Sequence, residues 1–156
     1  MIEVDVLGHK KLQLHHLVLD HNGTLAIDGV LLPGVADALK RLAEKVQIHI
    51  VTADTFGDVE SQVAEVPCKL VILPATYQDV AKLDYVNRLG PEKTVCIGNG
   101  RNDRLMLQIA ALGIAVVLRE GAALQAVASA DVVCTDILQA LDLLTHPLRL
   151  VATLRS

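Results

Sequence analysis

The chain has 156 residues, a net charge of −4, and 52% apolar but only 2% aromatic residues. That length and composition fit one domain, residues 1–156, around an aliphatic, alanine-rich core. The acidic balance argues against a general binder of nucleic acid or of an anionic membrane surface, and the longest uncharged stretch in the middle, Leu105 to Leu118, is too short to span a bilayer.

Taken from the start, Ile2 to Val6 alternates apolar and acidic residues, the pattern of a half-exposed strand. Its apolar residues precede its lysines, which is not the order of a signal peptide. Gly8-His9-Lys10-Lys11 turns the chain, and Leu12 to Leu19 reads as a longer returning strand. Residues 1–19 are therefore expected to be an N-terminal hairpin whose second arm runs straight into the central strand. That arm ends in Leu17-Val18-Leu19-Asp20, an apolar run stopped by an acid and followed by the turn His21-Asn22-Gly23-Thr24. Asp20 thus stands where a buried strand leaves the sheet, the edge at which open α/β sheets bind ligands. Gly23 permits a sharp turn whose amide N–H groups are expected to face an anion. A carboxylate beside such amides suits covalent phosphoryl chemistry.

Asp28-Gly29, between apolar pairs, signals a two-residue hairpin, a small flap beside the site. Pro33 is expected to open a helix with Val35, Leu39, Leu42, Ala43 and Val46 on its apolar face. Residues 47–52 form the next predicted strand, ending in Thr52, Asp54 and Thr55. Asp54 reads equally as a site residue or as an N-cap for a short helix over 57–65. A strand over 68–73 and a helix from Tyr77 to Leu89 follow, with Val80, Leu83 and Val86 turned inward. A fourth strand over 93–98 leads into the loop Gly98-Asn99-Gly100-Arg101-Asn102-Asp103. Beyond it the pattern predicts a helix to Leu112, a turn at Gly113, a strand over 114–118, a helix over 122–130 and a strand over 131–135. Residues 136–156 form a C-terminal helical segment of one or two helices around Pro147. Cys68, Cys96 and Cys134 sit in apolar strand-like runs without C-x-x-C spacing, and read as free, buried thiols of a reducing cytoplasm. His15, His16 and His21 are not a metal cluster, because adjacent strand residues point to opposite faces. Strands and helices alternate throughout, the pattern of an α/β fold with a mostly parallel central sheet covered by helices on both faces.

Such a sheet brings the strand ends carrying Asp20, Thr52 with Asp54, and Asn99, Asn102 and Asp103 to one edge. Lys82, in the first turns of its helix, reaches the same edge. A nucleophilic carboxylate, a hydroxyl, an ammonium and a second acid with amides near it are the parts that phosphoryl transfer needs.

These stretches resemble the haloacid dehalogenase (HAD) superfamily, and within it the phosphorylation domain of P-type ATPases. DHNGT, 20–24, resembles the pumps' D-K-T-G-T; TAD, 52–54, their T-G-D; GNGRND, 98–103, their G-D-G-x-N-D. Lys82 falls where the family lysine does, and residues 112–133 resemble the run after the last motif. The likeness spans about residues 15–135. It implies an HAD-like, Rossmannoid three-layer fold with a small flap hairpin and no large cap. It also implies roles. Asp20 is the nucleophile that becomes an aspartyl phosphate. Thr52 and Lys82 act with it, and His21, Asn22, Gly23, Thr24, Ala53 and Asn102 join them around the phosphate. Asp20, the Asn22 carbonyl, Asn99 and Asp103 form the side that holds Mg²⁺.

Two departures from the family pattern shape the expected activity. Asn22 stands where its phosphatases carry an acid that protonates the leaving group, and such help is worth roughly 10²- to 10⁴-fold. Asn99 replaces an acid used at the metal. The expectation is a cytoplasmic, Mg²⁺-dependent phosphohydrolase, slow or restricted to good leaving groups such as acyl phosphates or nucleotides. Its partners would be a phosphorylated small molecule or nucleotide, with neither nucleic acid nor membrane. The membrane helices and nucleotide-binding insert of the pumps are missing, so ion pumping is not expected. An uncapped site must stay open, take a macromolecular substrate or be covered by another subunit, and a homo-oligomer is the favoured expectation. The alternative is a catalytically degenerate phosphate- or partner-binding regulatory module.

Overall fold

The computed structural model describes residues 1–54 and 57–156. Thr55, named above at a strand end, lies outside the described residues. β1 (Ile2–Val6) and β2 (Lys10–Leu14) pair antiparallel in a two-stranded sheet of their own. Ile2, Val4 and Val6 are buried while Glu3 and Asp5 face out, as their alternation requires. The second arm does not run on to Asp20. The chain changes partners at His15, whose N–H donates to the Lys93 carbonyl at 2.8 Å and whose carbonyl accepts from Gln47 N–H at 2.9 Å. β3 (His16–Leu19) then enters the central sheet.

β4 (Ala26–Ile27) and β5 (Val30–Leu31) form the flap across Asp28 and Gly29, at φ 51° and 78°. Two positive φ values mark the mirror-image turn that matches the strands' twist. α1 (Val35–Ala43) starts two residues after Pro33, because Gly34 intervenes at φ 83°. Val35, Leu39 and Leu42 are buried, as is Val46 just beyond the helix. β6 (Gln47–Thr52), α2 (Val59–Gln62), β7 (Cys68–Ile72) and α3 (Gln78–Leu89) follow. A 3-10 turn at Pro91–Lys93 leads into β8 (Thr94–Gly98), and another at Arg101–Asp103 into α4 (Arg104–Ile109). β9 (Leu112–Val116), α5 (Leu124–Ser129), β10 (Val132–Cys134), α6 (Ile137–Thr145) and α7 (Pro147–Leu154) complete the described chain.

Six parallel strands form the central sheet in the order β10-β9-β8-β3-β6-β7. Leu17 and Leu19 pack on one face with α1, α6 and the β1–β2 hairpin, while Val18 packs on the other with Tyr85, Val86, Met106, Leu107 and Ala126. Period-two alternation within one buried strand thus feeds two cores and makes three layers. The chain runs outward through β3, β6 and β7, then returns to β8 on the other side of β3. That reversal opens a crevice at the carboxyl ends of β3 and β8.

Three local readings need correction. On α3 the buried residues are Lys82, Tyr85 and Val86, and Val80 is 46% exposed; the helix is turned so that its lysine points inward. Gly113 is not a turn but the second residue of β9. A Cβ there would lie 2.3 Å from the Leu107 carbonyl oxygen, so the bare glycine lets α4 close onto the strand. Of the three thiols only Cys96 is fully buried; Cys68 and Cys134 are half-buried because they sit on the two edge strands. The last residues divide into two helices at Pro147, and α7 packs on β1. Ser156 fastens that end, its N–H donating to the Leu7 carbonyl at 3.3 Å and its hydroxyl to that of Gly8 at 2.7 Å.

Two expectations about stability follow. Gly113→Ala should cost stability at or above the upper end of the about 1–3 kcal/mol typical of overpacking, read as a lower urea midpoint. A midpoint equal to wild type would refute the close approach of α4 and β9. His49, on β6, is 4% exposed and hydrogen-bonded to His16 at 3.2 Å and to the Tyr85 hydroxyl at 2.8 Å. Burial, then His16 and Lys69, pushes its pKa down from 6.5 to about 4. The unfolded chain therefore binds a proton that the folded one refuses, so stability should fall as pH drops from about 6.5 towards 4. Urea melts across that range should give a shallower slope for His49→Gln, and equal slopes would refute the assignment.

Candidate active site

Asp20 follows β3 directly, and its N–H continues the ladder to the Ile97 carbonyl at 3.0 Å. Its side chain is 10% exposed. From α3, the fully buried Lys82 ammonium reaches Asp20 Oδ1 at 2.8 Å and Asp103 Oδ1 at 2.6 Å. Asp103 Oδ2 accepts from the N–H groups of Asn99 at 3.0 Å and Gly100 at 2.9 Å. Gly98 makes room for this carboxylate, because a Cβ there would meet the Asp103 carboxyl at 2.5 Å. On the other side the Thr24 hydroxyl lies 3.3 Å from both Asp20 Oδ2 and Asn99 Oδ1. Above these groups is a pocket of about 210 Å³ lined by Asp20, Asn22, Thr52, Ala53, Gln78, Asn99, Gly100, Asn102 and Glu120.

The electrostatics follow from burial. Loss of water and the nearby Asp103 charge raise the Asp20 carboxyl to about 6, against the pull of Lys82. Burial alone would lower Lys82, but Asp20 and Asp103 outweigh it and hold the ammonium's pKa above its ordinary value. Lys82 is therefore a cation facing two carboxylates, and the pocket floor holds excess negative charge. Asp20, Asn22 and Asn99 line the pocket, and Asn22 Oδ1 is buried without a hydrogen-bond partner among the described residues. Oxygen donors beside excess negative charge fit Mg²⁺, which binds through one or two carboxylates and completes its shell with water and phosphate. Among the described residues no three His, Cys, Asp or Glu side chains converge on one point. A cation here would therefore have at most two carboxylates, with amide or backbone oxygens, water and phosphate completing its shell.

The structure brings Asp20, Thr52, Lys82 and Asp103 together as the motif spacing predicts, but it changes several details. Asp103 lies beneath the pocket with both oxygens engaged, so it supports Asp20 and Lys82 rather than lining the cavity. The turn's amides are mostly not free. Gly23 N–H donates to the Ala26 carbonyl at 2.8 Å and Thr24 N–H to that of His21 at 3.2 Å, because the turn closes on itself. The N–H groups of Asn22 and Ala53 take no backbone partner among the described residues. His21 is fully buried and lies outside the pocket lining, with neither ring nitrogen hydrogen-bonded among the described residues. Its side chain is therefore not placed to touch a phosphate. Asp54 Oδ1 accepts from Val59 N–H, the first of α2, at 3.2 Å, while the N-cap position itself is held by Asp58. Asn102 is in the pocket wall, its amide held by Gln78 Oε1 at 2.8 Å.

Gln78 and Glu120 are pocket residues that the sequence reading passed over. Gln78 lies four residues before Lys82, one turn away on the same helix face, which was a usable signal. Glu120 follows β9 at the same carboxyl edge of the sheet, but nothing in its neighbours marks it.

No protein-family model matches the chain. An uncharacterised protein of Methanocaldococcus jannaschii, MJ0073, is 45% identical over 82 residues, which is 50% of this chain and 88% of that protein. Among solved structures, the 3-deoxy-D-manno-octulosonate 8-phosphate phosphatase of Moraxella catarrhalis, solved with magnesium, phosphate and KDO, superposes with a TM-score of 0.71. The match has 15% identity and covers 85% of this chain and 86% of that one. The cobalt-bound deoxy-D-mannose-octulosonate 8-phosphate phosphatase of Haemophilus influenzae gives 0.70 at 16% identity, over 86% and 88%. At those identities the likeness is one of fold. The chain belongs to the family of MJ0073 and has the haloacid dehalogenase-like fold of these phosphatases.

Proposed function

We propose that this protein is a Mg²⁺-dependent phosphohydrolase that works through a phosphorylated Asp20. The observation that carries this reading is the Lys82 ammonium, 2.8 Å from Asp20 and 2.6 Å from Asp103, beneath a pocket of about 210 Å³ at the switch point of the sheet. The phosphatases that share the fold, and the motif likeness at residues 20–24, 52–54, 82 and 98–103, support the same chemistry.

In this reading an Asp20 oxygen attacks phosphorus, the bond from phosphorus to the leaving oxygen breaks, and the acyl phosphate forms. Lys82 orients Asp20 and offsets charge on the phosphoryl oxygens. Thr52, which lines the pocket, and the N–H groups of Asn22 and Ala53 hold those oxygens. Bound Mg²⁺ supplies further neutralisation of the phosphoryl charge. Water then attacks phosphorus and returns Asp20 to its free carboxylate, with inorganic phosphate released. Asn22 neither gives a proton to the leaving group nor takes one from water. The substrates are therefore phosphorylated small molecules or nucleotides with good leaving groups, and turnover is slow. The pump-like half of the likeness rests on the motifs alone. A second copy of the chain covering the pocket is part of the same proposal.

A second reading, a phosphate- or partner-binding module without turnover, is favoured by one observation. Both family acids replaced here, at Asn22 and Asn99, are amides, and Asn99 is tied to Thr24 and to the Gly121 carbonyl rather than left open.

Intact-mass spectrometry after incubation with acetyl phosphate or ATP plus Mg²⁺ separates the two. We expect a phosphate adduct that Asp20→Asn abolishes; no adduct with either donor favours the binding module. Asn22→Asp should restore the missing acid and raise phosphomonoester turnover by roughly 10²- to 10⁴-fold. An unchanged rate would contradict the role given to Asn22.

A further inference from the structure

Glu120 is placed by the same residue that the family pattern leaves short of a charge. The Asn99 side-chain amide donates to the Gly121 carbonyl at 3.1 Å, and the Ala123 N–H donates to the Asn99 carbonyl at 2.8 Å. Between Leu118 and Gly121 the chain makes a tight turn, closed by Gly121 N–H on the Leu118 carbonyl at 3.0 Å. Asn99 therefore grips the turn that carries Glu120 just beyond its tip. An aspartate at 99 has no N–H to give Gly121, so the amide that removes a charge is also the donor that fixes this turn.

The Glu120 side chain ends over Gly23. A Cβ on Gly23 would lie 2.6 Å from Glu120 Oε2 and 2.5 Å from Asn99 Nδ2. Glu120 lines the same pocket as Asp20, Asn22 and Asn99. Its carboxylate makes no hydrogen bond or ion pair among the described residues, whereas both oxygens of Asp103 are taken. Asp20 and Glu120 are thus the two carboxylates in the pocket wall, and only Glu120 is unengaged.

We propose that Glu120 supplies the cation-binding carboxylate that Asn99 lacks, so that the site's charge has moved from β8 to the turn after β9. This rests on the reading of the pocket as a Mg²⁺ site. A hard divalent cation gains from each anionic oxygen within reach. The side chain belongs to an exposed turn and not to the core, so it can be changed without threatening the fold.

The test is direct titration of the full chain with Mn²⁺, a paramagnetic stand-in for Mg²⁺, with free metal followed by electron paramagnetic resonance. We expect wild type to bind one ion, with Mg²⁺ as a competitor. Glu120→Gln should weaken binding by at least the roughly 10- to 100-fold that loss of a group supporting a metal ligand costs. Glu92→Gln, at the opposite edge of the sheet, should bind as wild type. Glu120→Asp keeps the charge but shortens the reach, and should lose most of the affinity too. Wild-type affinity in Glu120→Gln overturns the inference while leaving the Mg²⁺ site standing. Wild-type affinity in Glu120→Asp alone also overturns it, since the carboxylate would then act only as distant charge. Absence of any Mn²⁺ binding in wild type overturns both this inference and the reading it rests on.

Discussion

A lysine ammonium with no exposure to water holds the functional edge of this molecule together. Lys82 is drawn into the interior by Asp20 and Asp103, and each partner comes from a different part of the chain: β3, α3 and the loop after β8. Leaving one partner of such a buried set unpaired costs roughly 3–5 kcal/mol, so the three elements are bound to one geometry. The orientation of α3 follows from it. The helix presents Lys82, Tyr85 and Val86 to the core and leaves Val80 in solvent. An apolar-only interface would have turned it otherwise.

The same triad sets the chemistry of the pocket. One cation against two carboxylates leaves negative charge in a place with little water, and burial first, then the Asp103 charge, raises the Asp20 carboxyl. Backbone amides pin Asp103, Thr24 restrains Asp20, and Asn99 ties Thr24 to the turn beyond β9. In the proposed reading this arrangement holds an anion beside a hard cation, which suits transfer of a phosphoryl group better than recognition of an apolar ligand. In the proposed reaction the amide at position 22 separates two steps that an acid would serve together. Formation of an acyl phosphate needs the nucleophile and charge neutralisation, whereas departure of a poor leaving group and attack by water also need a proton carrier.

The sheet positions this site by a simple rule. Asp20 and Asn99 leave neighbouring strands, β3 and β8, on either side of the point where the chain reverses direction across the sheet. Thr52 leaves β6 on the other side of β3. Side chains far apart in sequence meet there because parallel strands end in register. Alternation inside β3 sends Leu17 and Leu19 to one core and Val18 to the other, which keeps both faces covered and directs polar groups to the edge.

Much of this was legible in the sequence. The alternation of apolar strands and amphipathic helices, the punctuation by Pro and Gly, and acids at strand ends are local properties, and they determined the α/β class, the flap turn at Asp28-Gly29 and the grouping of Asp20, Thr52, Lys82 and Asp103. Non-local competition decided the rest. Whether His15 continues a hairpin or joins Gln47 and Lys93 depends on which backbone groups reach it. Whether the amides of Gly23 and Thr24 are free depends on how tightly the turn closes. Gly113 reads as a turn until α4 is found resting on it, and the amphipathic last residues could not be docked until α7 met β1. Glu120 was invisible for the same reason: its place over Gly23 arises from two hydrogen bonds to Asn99, 21 positions earlier, and no local pattern encodes a contact made only when the sheet is assembled.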